Sequence, residues 1–231
     1  MISTAAALIT VPVALFTLGD DDDPQSPAGM VAEVIGPTLS TPSALPTKAT
    51  PTKPKPTPSV VVPARGSGAF GLASGGTGKV GAGRLVTYRV EAEKDLAFRA
   101  ADFAEAVDAT LTDPRGWTKT GSYAFQRTDS AALRVVLATP STTDRLCAPL
   151  QTRGTLSCRS GNDVVINARR WVDGADSYKG ELAKYRQYVI NHEVGHSLGL
   201  GHVPCPRAGA KAPVMLQQSL GLQSCEANPW P

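Results

Sequence analysis

Apolar residues between Arg84 and Leu111 follow two different spacings. The segment Arg84–Glu91 (RLVTYRVE) alternates apolar and polar residues, which is typical of a strand with one buried face. After it, apolar residues recur every three or four positions from Leu96 to Leu111, which predicts an amphipathic helix. We expect Asp95 to cap this helix and Pro114 to end it.

Three more apolar runs predict strands, and one long segment predicts a second helix. The strands are expected at Ala69–Ala73, Leu133–Ala138 and Val164–Asn167. The second helix is expected from Glu181 to Leu198, with Ile190, Val194 and Leu198 as its buried stripe. Strands followed by helices predict an α/β or α+β fold.

The chain before this region divides into two further segments. Residues 1–19 contain the uncharged run Ile2–Leu18, which is close to the shortest helix that spans a bilayer, and we predict a retained membrane anchor. A cleaved secretion signal is the alternative. Residues 20–65 are rich in Pro and Thr, a composition that cannot form a core, so we predict an extended linker on the extracytoplasmic side. The folded domain is then expected at residues 66–231.

Charge and glycine patterns exclude two common functions. The net charge of +3 comes from 23 basic and 20 acidic residues scattered along the chain, so we expect no nucleic-acid partner. The sequence Gly66–Gly71 (GSGAFG) fits a dinucleotide-binding fingerprint formally, but a Pro-rich linker precedes it where a strand is required. We therefore predict no dinucleotide site.

Four cysteines predict an oxidising compartment. An even number outside the cytoplasm usually means disulfides, and four cysteines allow three pairings. Our prediction is the nearest-neighbour pairing, Cys147 with Cys158 and Cys205 with Cys225. Thiolate metal ligands are the alternative, but no C-x-x-C spacing is present.

The second helix carries the pattern of a zinc site. His192 and His196 belong to an H-E-x-x-H motif, which places two imidazoles on one helix face one turn apart. A continued helix would carry His202 away from them, so we predict that the helix ends at Gly199 and that the chain turns back. These are the three histidines of the chain. We predict that they bind Zn²⁺ and that Glu193 is the general base that activates a water molecule. The alternative is that all four are helix and turn residues with incidental polar contacts.

The string HEVGHSLGLGH resembles the zinc signature of the metzincin peptidases. The segments YRQYVINHEVGHSLGLGHVPCP, APVMLQQSLGL and CEANPWP are similar to an uncharacterised group of bacterial extracytoplasmic metzincin-like domains. This resemblance implies a zincin-like α/β (α+β) fold, in which a mixed twisted sheet packs on the active-site helix above a small irregular C-terminal lobe. It also implies a structural Met-turn at Met215 and peptidase activity.

Two departures limit what the resemblance implies. Matrixins share the histidine pattern but carry further histidines and acidic residues for structural zinc and calcium, which this chain lacks. Some metzincins also place a tyrosine after the Met-turn to stabilise the tetrahedral intermediate, whereas the last tyrosine here is Tyr188. Zinc and backbone donors would then have to stabilise that charge.

The sequence therefore predicts a membrane-anchored or secreted zinc endopeptidase that acts on a peptide or protein substrate. The alternative is a non-catalytic, zinc-stabilised extracytoplasmic binding domain. A carboxylate at Glu193 favours the enzyme, because a purely structural three-histidine site does not need one. Trp117 and Trp171 could line a cleft, but we predict that both are core residues. The sequence predicts no oligomeric state.

Overall fold

The computed structural model describes residues 60–231, which contain seven strands and four α-helices. The predicted anchor and all but the end of the predicted linker lie outside these residues. The strands are β1 (Phe70–Leu72), β2 (Val80–Gly81), β3 (Arg84–Glu93), β4 (Tyr123–Arg127), β5 (Leu133–Ala138), β6 (Cys158–Ser160) and β7 (Asp163–Asn167). The helices are α1 (Ala100–Leu111), α2 (Pro140–Cys147), α3 (Ala168–Asp173) and α4 (Leu182–Ser197).

All seven strands form one mixed sheet in the order β2-β4-β3-β5-β7-β6, and β1 pairs with the end of β3. Strands β4, β3, β5 and β7 run parallel, whereas β1, β2 and β6 are antiparallel to their neighbours. Strand β6 therefore lies at one edge of the sheet. The mixed sheet with helices confirms the predicted α+β class.

Each face of the sheet is covered by different helices, because successive side chains of a strand point to opposite faces. Val135 and Val164 belong to the main core with residues of α1 and α4. Val136 and Val165 form a smaller core on the other face, together with Cys147 at the end of α2. This arrangement holds α4 against the sheet close to its β7–β6 edge.

The predicted elements are present, with shifts at their ends. Helix α1 begins at Ala100, and Asp95 does not cap it; the Asp95 carboxylate accepts hydrogen bonds from the Ser67 backbone N–H and hydroxyl instead. Trp117 and Trp171 are buried in the main core, as predicted. Residues 198–231 contain no helix and no strand.

Both predicted disulfides are present, Cys147–Cys158 and Cys205–Cys225. The first joins the end of α2 to the edge strand β6, and the second closes a segment of the irregular C-terminal region. Disulfides persist in oxidising environments, so the domain belongs to such a compartment. Within residues 60–231 we find no helix that combines the length and the hydrophobicity needed to cross a bilayer.

Glu93, at the end of β3, is a buried carboxylate that connects three segments. It accepts hydrogen bonds of 2.7–2.8 Å from the backbone N–H groups of Gly68 and Thr139 and from the hydroxyl of Thr142. The entry segment of the domain is thus attached to β3 and to the start of α2. Burial without such donors would make a carboxylate very costly.

We expect Glu93→Ala to lower the free energy of unfolding by about 3 kcal/mol, because two buried donors and one partly buried donor lose their acceptor. Denaturant unfolding monitored by circular dichroism measures this change. Glu105→Ala, on the exposed side of α1, is the matched control and should unfold like the wild type. An equal, small effect of both substitutions would contradict the role given to Glu93.

Candidate metal centre

The helix that carries the first two histidines is buried along most of its length. Ile190 and Val194 are fully buried and Leu198 packs against the same core, which confirms the predicted apolar stripe. His192 and His196 lie on another face of α4, one turn apart, and their ring centroids are 4.8 Å apart. Core packing and the two imidazoles therefore occupy different sides of one helix.

The chain turns back directly after α4. Leu198 caps the helix, and Gly199 has a φ of +92°, a left-handed conformation that favours glycine. Gly201 does not have a positive φ, so the reversal depends on Gly199. The turn returns His202 to the other two rings, with centroid distances of 5.2 Å to His192 and 4.7 Å to His196.

The three histidines offer one nitrogen each within a small volume. These nitrogens all lie within 4.8 Å of one another, and Nε2 of His196 is 3.1 Å from Nε2 of His202. Zinc–nitrogen bonds of about 2.0–2.1 Å in a tetrahedral site place ligand nitrogens about 3.3 Å apart. The spacing of the rings is therefore close to that required by a single ion.

Hydrogen bonds on the far side of two rings define which nitrogen is available. Nδ1 of His192 is 2.8 Å from the Val214 carbonyl oxygen, and Nδ1 of His196 is 2.8 Å from the Leu200 carbonyl oxygen. A carbonyl oxygen only accepts, so Nδ1 carries the proton in each ring and Nε2 of the neutral ring keeps a free lone pair. Metal-binding histidines are commonly oriented in this way. The residues thus fit a divalent metal such as zinc.

Electrostatics also favour the neutral, metal-binding form of the rings. Burial, followed by the nearby His196 and His202, lowers the pKa of His192 to about 4. Burial and the neighbouring His196 also lower the pKa of His202. Both rings are therefore neutral at physiological pH, so protons do not compete with a cation.

Glu193 lies beside the histidines and contributes its side chain to the same cleft. It is 6% exposed, and no residue of the described domain donates a hydrogen bond to its carboxylate. Burial raises the pKa of Glu193 to about 8. A divalent cation bound nearby would lower this pKa again and favour the ionised carboxylate. Its oxygens are not among the fully buried side-chain atoms that lack a partner, so they reach the cleft and are available there for proton transfer.

Met215 lies in a tight turn beneath α4. The Leu216 N–H donates to the Pro213 carbonyl at 2.9 Å, and the Val203 N–H donates to the Met215 carbonyl at 3.2 Å. The Met215 side chain packs so closely under Gly195 that a Cβ at Gly195 would lie 2.4 Å from its Sδ. The turn therefore supports the histidine helix from below and holds the segment of His202.

We expect Gly195→Ala to lower the free energy of unfolding of the metal-free protein by about 1–3 kcal/mol, through overpacking. The new methyl group would also lie 2.9 Å from Cζ2 of Trp117. At most other positions inside a helix, a glycine-to-alanine substitution stabilises the folded protein. Gly201→Ala, where a Cβ meets nothing within 4 Å, is the control. Denaturant unfolding of both variants in a chelator tests this, and a gain in stability at Gly195 would contradict the packing described.

The three histidines and Glu193 line a cleft of about 520 Å³. Edge strand β6 and the preceding segment form one wall. Gln217, Ser219 and Leu220, which follow the Met215 turn, form another. Leu150, Leu200 and Leu220 are exposed apolar residues that line it. The cleft is thus an open, largely apolar groove that reaches the three histidine rings.

Several residues of the site were not predicted from the sequence. Tyr188 lines the cleft one turn before His192. Its hydroxyl donates to the Leu216 carbonyl at 3.0 Å and accepts from the Gln218 N–H at 2.8 Å. The spacing of four residues could have identified it. The carbonyls of Val214 and Leu200 leave no side-chain signal in the sequence.

Comparison with known proteins gives one family. A family model described as "Protein of unknown function (DUF3152)" matches residues 57–231. No curated protein and no solved structure matches the chain. Because this single family model covers most of the chain, including the whole described domain, the chain belongs to the DUF3152 family.

Proposed function

We propose that this protein is a zinc-dependent endopeptidase of the metzincin type, held at a membrane by residues 1–19 or secreted. The observation that supports it most is the convergence of three imidazoles beside a buried carboxyl group without a structural partner. A zincin-like fold is part of the proposal. It is supported by a mixed sheet whose edge strand lies above the histidine helix and by the irregular segment beneath it.

His192, His196 and His202 would hold the ion through one nitrogen each, which leaves a fourth position open. A zinc ion held there would supply Lewis acidity, which polarises a peptide carbonyl and lowers the pKa of water towards neutrality. Glu193 takes the proton of the attacking water and later gives it to the leaving amine as the C–N bond breaks. Met215 and the carbonyls of Val214 and Leu200 are positioning groups, because they hold the segments that carry the histidines.

The cleft suits an extended peptide. Strand β6 is the last strand of the sheet, and within residues 60–231 its outer edge pairs with no strand. A peptide in the cleft could add to this edge through main-chain hydrogen bonds, which bind any sequence. Leu150, Leu200 and Leu220 would then contact its apolar side chains.

A second candidate is a non-catalytic, zinc-stabilised domain that binds proteins or envelope components outside the cytoplasm. One observation favours it. The hydroxyl of Tyr188 is held by Leu216 and Gln218, so the tyrosine that lines the cleft is not free to stabilise an oxyanion.

Zinc content and cleavage of a random peptide library, measured on the full chain, separate the two candidates. The peptidase requires one bound zinc per chain, new peptide termini detected by mass spectrometry, loss of cleavage in a chelator, and recovery when zinc is returned. Zinc bound in that stoichiometry without cleavage of any peptide would favour the binding domain.

A further inference from the structure

Arg159 is the central residue of edge strand β6, and strand register defines the direction of its side chain. It lies directly opposite Val164 in the antiparallel pair β6–β7. Residues directly opposite each other in such a pair point to the same face of the sheet. Val164 belongs to the core between the sheet and α4, so Arg159 projects on the α4 side. This direction agrees with its presence in the wall of the cleft.

The charge of Arg159 is unusual in this cleft. The lining consists mostly of apolar and neutral residues, and apart from the three histidines, Glu193 and the phenol of Tyr188 it carries no other ionisable side chain. Arg159 is exposed, and its guanidinium makes no hydrogen bond or ion pair with residues 60–231. By contrast, Arg127 and Arg134 of the same sheet both pair with carboxylates.

The backbone that carries Arg159 is held on two sides. The ladder with β7 fixes its register, and Cys158, the preceding residue, forms the disulfide to Cys147 at the end of α2. A guanidinium on a fixed strand loses less entropy on binding than one on a mobile loop. A planar guanidinium also matches a carboxylate with two parallel hydrogen bonds.

We propose that Arg159 is a specificity-determining residue of the cleft, where it binds a carboxylate of the peptide substrate. The inference rests on the proposed peptidase function and adds a substrate class to it, peptides with a carboxylate close to the segment held in the cleft. The carboxylate has two sources, an Asp or Glu side chain or the free C-terminus of the peptide.

Matched peptides distinguish these sources. One otherwise apolar sequence is made with Glu, Gln or Lys at each position around the cleavage site, each peptide with a free or an amidated C-terminus. The zinc-loaded full chain is compared with Arg159→Ala, Arg159→Glu and the control Arg169→Ala. Arg169 is an exposed arginine on α3 that does not line the cleft.

For the wild type and Arg169→Ala, kcat/KM should be about fivefold higher for the best carboxylate-bearing peptide than for its neutral partner. A difference of this size is typical of an exposed ion pair. Arg159→Ala should abolish the difference, Arg159→Glu should reverse it in favour of Lys, and high salt should weaken it. A preference tied to Glu identifies a side-chain carboxylate, and one that disappears on amidation identifies the C-terminus. Equal cleavage of all peptides by the wild type, or a preference that survives in Arg159→Ala, would overturn the role of Arg159 and leave the peptidase proposal intact.

Binding provides a readout that does not need catalysis. Fluorescence anisotropy of the same labelled peptides is measured on zinc-loaded Glu193→Gln with and without Arg159→Ala. If no peptide is cleaved, the peptidase proposal fails; a binding preference for carboxylates that is lost in Arg159→Ala still supports the assignment. Equal binding of acidic, neutral and basic peptides, or no measurable binding, overturns it.

Discussion

Glu193→Gln should lower peptide cleavage by about 10²- to 10⁴-fold, which is the usual contribution of a general base. Glutamine keeps the shape of glutamate but accepts no proton from water. Because Glu193 is not among the three proposed zinc ligands, the variant should still bind one zinc ion per chain. Its kcat should fall much more than its KM changes, since the lost interaction belongs to the transition state.

The matched control is Glu181→Gln, at the exposed start of the same helix, where the carboxylate pairs with Lys184. This variant removes the same charge from the chain and should cleave peptides like the wild type. Zinc content of both variants is measured in parallel. Full activity in Glu193→Gln would remove the carboxylate from the mechanism, and loss of zinc in that variant would make Glu193 a ligand.

His202→Ala should weaken zinc binding by more than about 100-fold, because loss of a single residue that only supports a ligand already costs 10- to 100-fold. Two imidazoles remain, and the chain has no other histidine to replace the third. His202 is exposed, so the metal-free fold should be retained. Competition with a chromophoric chelator measures the affinity. A thermal melt gives a second readout, because zinc at about 1,000 times its Kd should stabilise the wild type by about 4 kcal/mol but not the variant.

Val203→Ala is the control for this experiment, since Val203 is the adjacent exposed residue and its contact with Met215 is made by the backbone. It should bind zinc like the wild type. Unchanged zinc affinity in His202→Ala would mean that the metal, if bound, lies elsewhere.

Strong periodic patterns predicted the elements that position the site. Helix α4 was expected from Glu181 to Leu198 and runs from Leu182 to Ser197, because its apolar stripe and its glycine exit are both encoded locally. The disulfide pairing was also predicted correctly. The capping role of Asp95 was wrong, because Ser67, distant in sequence, offers two donors that a local pattern does not reveal.

Two of the elements that were missed, β6 and α2, have weak local signals. Strand β6 is only three residues long, and its sequence, Cys-Arg-Ser, has no apolar alternation. Helix α2 (PSTTDRLC) contains few apolar residues, although the proline at its first turn is a start signal that could have been used. Both become regular through contacts with β7, so their structure depends on tertiary packing that propensity does not report.

The residues of the site also divide into those with a local sequence signal and those placed by long-range packing. The three histidines and Glu193 were found because a helix relates them by simple geometry, and the structure brings all four to one cleft. The second wall of that cleft, including Arg159, belongs to a strand whose position is set by long-range pairing and by a disulfide. A reaction class could thus be proposed from the sequence, whereas the proposed substrate preference required the fold.

X-ray absorption spectroscopy at the zinc edge of the purified full chain tests the central claim most directly. With three imidazoles on one ion, the spectrum should fit four light scatterers at about 2.0–2.1 Å, with multiple-scattering features of three histidine rings and no sulfur. A sulfur shell near 2.3 Å, or a fit with fewer than three imidazoles, would contradict the metal centre on which the whole account depends.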